Sequence, residues 1–529
     1  MGLPIRGKAA IAGALLALAG SGSAPAQDAG RTTQARAIKG TPAVRAAGVL
    51  AQMTQAEKLA LLEGLFATDF APAKFTAPAE AREGSAGYVP GIARLGIPPQ
   101  WQSDAGLGVA SQAGARAKRA ATALPSGPAT AATFDAALAY ESGRMIGGEA
   151  RAYGFNVMLG GAANLLREPR NGRNFEYAGE DPLLAGTIVG AEIAGVQSNH
   201  VIDTTKHYAL NDQETDRGTG NFIIDEAAFR MSDLLAFELA IERGHPGSVM
   251  CAYNLVGGLH ACESPFLLTE VLRRDWGWQG YVMSDWGAAH STAGSANAGL
   301  DQESGYGLQR AAWFGADKLG DALAKGDIAP ARIDLMASRV LTAMFANGLI
   351  DDPVTGSAGP ADFTANRAVA QRDAEAGIVL LKNDGELLPI AATAKRIAVI
   401  GGHADKGVIS GGGSSQVYPD GGNAVPGVGP KRWPGPAIFY PSSPVEELKK
   451  LLPGASVDYA GGDDPAAAVE LAKAADLVIV FGTQWAGEGS DVPLHLDDGQ
   501  DALIDTIAAA NRHTVVVLET GGPVLTPWA

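Results

Sequence analysis

From about residue 95 the chain repeats one pattern: a short apolar run, a polar cluster, then a stretch with helical spacing. Residues 155–159 form one such run and are followed by Arg167 and Arg173. Residues 201–205 form the next and lead into Lys206 and His207. Residues 248–253 lead into Asn254, and the run 281–284 leads into Asp285 and Trp286. Apolar runs of this length, alternating with helices, predict parallel strands joined by crossover helices. Polar residues just past the C-terminal ends of such strands predict an active face there, in a barrel or in an open α/β sheet. Ahead of this region, Thr54 and Glu57 form a capping box. Leu59, Leu61 and Leu62 continue the apolar pattern, and Gly64 is expected to end that helix.

Residues 351–362, DDPVTGSAGPAD, carry the Pro, Gly and Asp of a linker. After it the pattern restarts, with strands expected at 397–400, 477–481 and 515–518 and helices at 465–475 and 500–510. A second α/β domain is therefore expected. The run Gly411-Gly412-Gly413-Ser414-Ser415 lacks the Lys-Ser/Thr of a phosphate loop and reads as a turn-rich loop. The sequence reaches Ala529 soon after the last expected strand, so this domain's sheet is expected to be incomplete, with an exposed edge.

Composition narrows the function classes. The 529 residues allow two or more domains with sizeable cores. A formal net charge of −16 gives no electrostatic reason to bind nucleic acid. The eight His are scattered, with no zinc-ligand spacing, so no metal site is expected. Arg6 and Lys8 precede an apolar stretch at 9–19, too short to span a bilayer as a helix, and Ala24-Pro25-Ala26 is a small-x-small cleavage site. Residues 1–26 are thus expected to be a signal peptide and 27–43 a flexible leader, with structure beginning near Val44. The mature chain is expected in the periplasm or outside the cell, with no membrane attachment. In an oxidising compartment Cys251 and Cys262 are expected to form a disulfide. Nothing in the sequence sets an oligomeric state.

On its own, Asp285 is an Asp at the end of a β-rich run, suited equally to a nucleophile or to a helix cap. Its neighbour Trp286 offers a ring that can stack on a sugar face. The wider set of motifs decides between these readings. GRNFEYAGEDP (172–182), KHYALNDQETDR (206–217), MCAYNLVGG (250–258), ACESPFLL (261–268) and GWQGYVMSDWGA (277–288) follow one another. LLKNDGELLPI (380–390), GGGSS (411–415) and AGEGSD (486–491) come after them. In order and spacing this set resembles glycoside hydrolase family 3, over residues 45–529.

The resemblance implies an α/β architecture: a TIM-like (β/α)8 barrel at 44–350, a linker at 351–374, and an α/β sandwich domain at 375–529. It implies a retaining β-glucosidase, with β-xylosidase or exo-β-glucanase as alternatives within the family. Substrates would be β-glucosides or oligosaccharides, and no metal or organic cofactor is needed. Asp285 matches the nucleophile in its SDW motif, and Glu488 matches the acid/base supplied by the second domain. Asp104, Arg173, Lys206, His207 and Tyr253 match the residues that bind the sugar. A retaining mechanism sets its two carboxyl groups about 5–5.5 Å apart. The nucleophile must be ionised and is expected to be surrounded by donors; the acid must hold a proton and is expected to have few. A sugar-binding protein without turnover is the competing class, should the incomplete domain fail to seat Glu488.

Overall fold

The computed structural model describes residues 34–529, except 83, 105, 112–118, 309–311, 357–360, 426–427, 431–432 and 434. The expected signal peptide and residues 27–33 of the expected leader lie outside the described residues. Packing begins earlier than Val44. A short helix, Gln34–Ala37, buries Ala35 completely, and the helix Pro42–Leu50 starts from a Thr41 cap.

The first domain is a nearly closed eight-stranded sheet. Its strands in chain order are β1 (Glu63–Phe66), β2 (Gly87–Val89), β3 (Gln100–Asp104), β4 (Val157–Leu159), β5 (Ile202–Tyr208), β6 (Ser248–Cys251), β7 (Tyr281–Ser284) and β8 (Glu303–Tyr306). Spatial order follows chain order from β1 to β7, and β8 pairs with β1. A Met283–Gln302 bridge, with Ser284 N donating to Gln302 O at 3.0 Å, draws β7 to the β8 edge. A barrel is thus formed, with one departure from the all-parallel expectation: β2 runs antiparallel to both β1 and β3. The segments joining β1, β2 and β3 hold only short helical turns, too short for crossover helices. From β3 on, the pairings are parallel and long helices such as Ala136–Ala152, Pro182–Gln197 and Asp233–Gly244 form the outer layer. Val157, Met158 and Leu159 are all fully buried, as expected for a strand covered on both faces.

Two local expectations change. The Thr54–Glu57 capping box is present, but its helix is Gln55–Ala60 and Gly64 lies within β1. A Cβ at Gly64 would sit 2.9 Å from Glu303 O, so the glycine admits the β8 backbone rather than ending a helix. Residues 363–374 of the expected linker belong to a helix, Phe363–Gly377. This helix packs on the barrel's outer layer, where its buried Asp373 accepts from Thr130 Oγ1 at 3.1 Å and Ser142 Oγ at 3.0 Å. Arg372 adds an ion pair to Glu141. After it, Ile378, Val379, Leu380 and Leu381 form an exposed apolar run.

The second domain holds a four-stranded parallel sheet. Its strands are β9 (Arg396–Ile400), β10 (Ser456–Ala460), β11 (Leu477–Gln484) and β12 (Thr514–Thr520), in spatial order β10-β9-β11-β12. Alternation along β9 and β11 sorts the core into two layers. Ala398, Ile400, Val478 and Val480 meet the helices Pro465–Ala474 and Gln500–Ala510. Ile397, Val399, Leu477 and Ile479 meet Val445 of the helix Pro444–Leu451. Among the described residues no helix is long and apolar enough to cross a membrane.

Candidate active site

The site forms where the C-terminal ends of β3, β5, β6 and β7 face a loop of the second domain. Asp285 directly follows β7 and is buried. Its N–H donates to Cys251 O at 3.1 Å, and its Oδ1 accepts from Trp286 N at 2.7 Å. The end of β6 thus holds the Asp285 backbone, and Cys251 is joined there to Cys262, with a Cα–Cα distance of 5.2 Å. The disulfide closes the segment that carries Tyr253. The indole N–H of Trp286 donates to Ala86 O at 3.2 Å, which fixes its half-buried ring beside the nucleophile candidate.

Lys206 and His207 lie inside β5 rather than beyond its end. The β5–β6 register shifts between Thr205 and Tyr208, and such an irregularity re-aims neighbouring side chains. Both residues are buried. His207 Nε2 stands 3.8 Å from Asp285 Oδ2, and its backbone N–H and C=O are both taken by the Asn164 amide, at 2.7 and 3.0 Å. Burial, reinforced by Arg173, Lys206 and Arg217, pushes the imidazole well below its ordinary range, so it is neutral. Asp104 ends β3. Burial raises its carboxyl to about 7, opposed by Lys206 and Arg173 and aided by Glu488 and Asp285.

Arg173 is buried and carries two loads. Its Nε and Nη2 hold Glu176 at 2.6 and 2.9 Å, a fork-to-fork ion pair. Its Nη1 lies 3.6 Å from Glu488 Oε1. Arg167, also after β4, turns away to pair with Asp233 and takes no part.

Glu488 reaches this cluster from the loop after β11. Its Oε1 accepts from Arg217 Nη1 at 2.9 Å and its Oε2 from Ser414 N at 2.9 Å. Two glycines make the approach feasible. A Cβ at Gly413 (φ +108°) would lie 2.4 Å from Glu488 Cβ. One at Gly172 would lie 2.0 Å from Ser490 O. Asp491, another carboxylate of the same loop, has both oxygens on backbone: Oδ1 accepts from Glu214 N at 2.8 Å and Oδ2 from Thr215 N at 3.0 Å.

The charge pattern reverses the expected one. Burial pushes the Asp285 carboxyl up, and Arg173, Arg217 and the Tyr253 hydroxyl only partly offset it. Burial also works against the Glu488 charge, but Arg173, Arg217 and Ser414 outweigh it and hold that carboxyl well below the usual range. The donors gather on the acid/base candidate, because Arg217 and the Ser414 N–H both point at it.

The structure therefore brings together Asp104, Arg173, Lys206, His207, Tyr253, Asp285, Trp286 and Glu488. It adds residues that sequence reading passed over: Arg217, whose guanidinium carbon lies 4.6 Å from the centre of the Tyr253 ring, Ser414, and Glu214. Arg217 and Glu214 close the same motif as Lys206 and His207, and Ser414 belongs to a run read only as a turn. Among the described residues no group of three or more His, Cys, Asp or Glu side chains is placed to hold a metal ion.

Residues 79–343 match the glycosyl hydrolase family 3 N terminal domain, and residues 378–529 match its C-terminal domain. A β-glucosidase of Bacteroides ovatus is 34% identical over 519 residues, covering 92% of this chain and 66% of the relative. An exo-α-(1→6)-L-arabinopyranosidase of Bifidobacterium longum is 33% identical over 475 residues, covering 84% and 59%. The chain thus spans under two thirds of the length of these curated relatives. Among solved structures, DesR, a β-glucosidase of Streptomyces venezuelae in complex with D-glucose, superposes with a TM-score of 0.78 at 28% identity, over 92% of this chain and 73% of that one. With both domain models matched in chain order, the chain belongs to glycosyl hydrolase family 3.

Proposed function

We propose that this chain is a retaining exo-β-glycosidase that removes terminal non-reducing β-D-glucosyl residues by double displacement. One observation carries the reading: two buried carboxylates from different domains, Asp285 and Glu488, share the same arginines. In the first step Asp285 attacks the anomeric carbon while Glu488 gives its proton to the leaving oxygen. In the second, Glu488 takes a proton from water, which displaces Asp285 from the sugar. Asp104, Arg173, Lys206 and His207 surround the glycone as acceptors and donors for its hydroxyls. Action outside the cytoplasm is supported by the buried Cys251–Cys262 disulfide.

A 2-fluoro-glucoside tests the reading: mass should be added to the peptide that contains Asp285. Nitrophenyl β-glucoside, β-xyloside and α-L-arabinopyranoside then sort the glycone, with release fastest from the first. Faster release from either of the others would change the substrate. No label and no release would leave a sugar-binding protein without turnover.

Asp104 makes the binding of sugar pH-dependent. Its carboxyl, at about 7, loses its charge as pH falls, and the charged form is the stronger acceptor for sugar hydroxyls. The inhibition constant of glucose should therefore rise as pH falls through about 7, and Asp104→Asn should flatten that rise. A wild-type constant that does not move with pH removes Asp104 from this role.

A further inference from the structure

The loop that carries Glu488 has no strand partner of its own between residues 487 and 492 apart from short bridges at Gly487. Its position must come from what it touches, and three contacts to the barrel stand out. Glu214, with a fully buried side chain, accepts through Oε2 from the backbone N–H of Gly489 at 2.6 Å. Asp491 returns the contact by accepting from the N–H groups of Glu214 and Thr215. Val492 N donates to Arg170 O at 2.8 Å. Each domain thus offers a carboxylate to the other's backbone, in the residues that directly follow Glu488. Charged acceptors form the stronger class of hydrogen bond, so these contacts outweigh an ordinary loop contact. Glu214 also holds Arg217 Nη1 at 2.8 Å, the same nitrogen that lies 2.9 Å from Glu488.

We propose that Glu214 and Asp491 form a reciprocal clamp between the domains and act as positioning residues for Glu488. The inference rests on Glu488 being the acid/base. Neither residue touches the reacting atoms. Glu214 fixes the backbone next to Glu488 and the guanidinium that faces it; Asp491 fixes the barrel segment that carries Glu214. Losing the clamp leaves Asp285 and the glycone pocket in place and moves the proton donor. A displacement of about 1 Å in a catalytic group is enough to cost about 10²-fold in rate.

The test compares two substrates on the full chain. Methyl β-glucoside needs a proton on its leaving oxygen, whereas 2,4-dinitrophenyl β-glucoside does not. Rates are expressed per site labelled by a 2-fluoro-glucoside, so misfolded protein does not count. For Glu214→Ala, kcat/KM on the methyl glucoside should fall by about 10²-fold. The activated substrate should lose far less, and azide should speed its turnover and yield β-glucosyl azide. Glu214→Gln can still accept from the Gly489 N–H and should recover part of the loss. Asp491→Asn should show the same split in weaker form. It also decides the matter if Glu214→Ala does not fold. Equal losses on both substrates, or no response to azide, would mean the contacts serve only general docking and would overturn the proposal. Failure of the proposed function would look different: the wild-type chain itself would neither label at Asp285 nor release either aglycone.

Discussion

Asp285→Asn is expected to lower turnover on the order of 10⁴-fold or more and to abolish labelling by a 2-fluoro-glucoside. An amide at this position cannot form the ester on which double displacement depends, so no substitute route of similar rate is available. The substitution is nearly isosteric. The amide oxygen it introduces would still accept from Trp286 N, as Oδ1 does now at 2.7 Å, and the backbone would keep its bond to Cys251 O. The fold should therefore survive, and glucose should still bind through Asp104, Arg173, Lys206 and His207. Stability should hold or improve. Burial raises the Asp285 carboxyl, which means the native state pays to keep it ionised at neutral pH, and a neutral side chain removes that cost. The check is kcat with nitrophenyl β-glucoside, glucose affinity and the melting temperature at neutral pH, measured on the same preparation. Turnover within about tenfold of wild type would exclude Asp285 as nucleophile. Loss of both turnover and glucose binding would point to collapse of the pocket instead.

The sequence was most legible where its signal is local. The 281–284 run, the 500–510 helix and the strand starts in the second domain follow from period and flanking residues, and they match the structure closely. It was less legible where a distant partner decides. Antiparallel β2 is a three-residue strand whose direction is set by β1 and β3, and three residues carry no readable period. The helix Phe363–Gly377 follows a Pro/Gly/Asp segment, and what holds it is Asp373 against Thr130 and Ser142, more than two hundred positions away. Gly64 carries the same letter whether it ends a helix or lets another strand approach. The site shows the same division. Motifs located Asp285, Lys206, His207 and Glu488, but the groups that face His207 and Glu488 are remote in sequence. Arg217 and Ser414 converge on Glu488 from segments far from it in sequence. The need to hold a proton predicts few donors around Glu488. Its real environment is two guanidiniums and a backbone N–H.

That environment makes Glu488→Ala the second decisive substitution. In the free protein Glu488 is ionised, because Arg173 and Arg217 outweigh its burial. This suits the second step, in which it is a base. Once Asp285 is esterified its negative charge is gone, and of the two catalytic carboxyls only Glu488 still draws on the arginines. The first step demands the opposite, a protonated Glu488 facing an ionised Asp285. With Glu488 held low and Asp285 pushed up, that arrangement is the minority form of the carboxylate pair in the empty site. Since kcat/KM reports the free enzyme, its value for methyl β-glucoside should fall as pH rises from acid toward neutral, as the required proton on Glu488 is lost. It should also fall at the acid extreme, as Asp285 gains a proton. Glu488→Ala should cut kcat/KM for methyl β-glucoside by about 10²–10⁴-fold. With 2,4-dinitrophenyl β-glucoside the first step needs no proton and should persist, but the glycosyl-enzyme then lacks its base and accumulates. Azide needs no base, so it should restore turnover and give β-glucosyl azide with retained configuration. For methyl β-glucoside the alkaline fall in the residual kcat/KM should disappear, leaving only the acid limb of Asp285. An unaltered alkaline limb with no azide product would assign the proton transfer to another group, and Asp491, with both oxygens on backbone N–H groups, is poorly placed to take it.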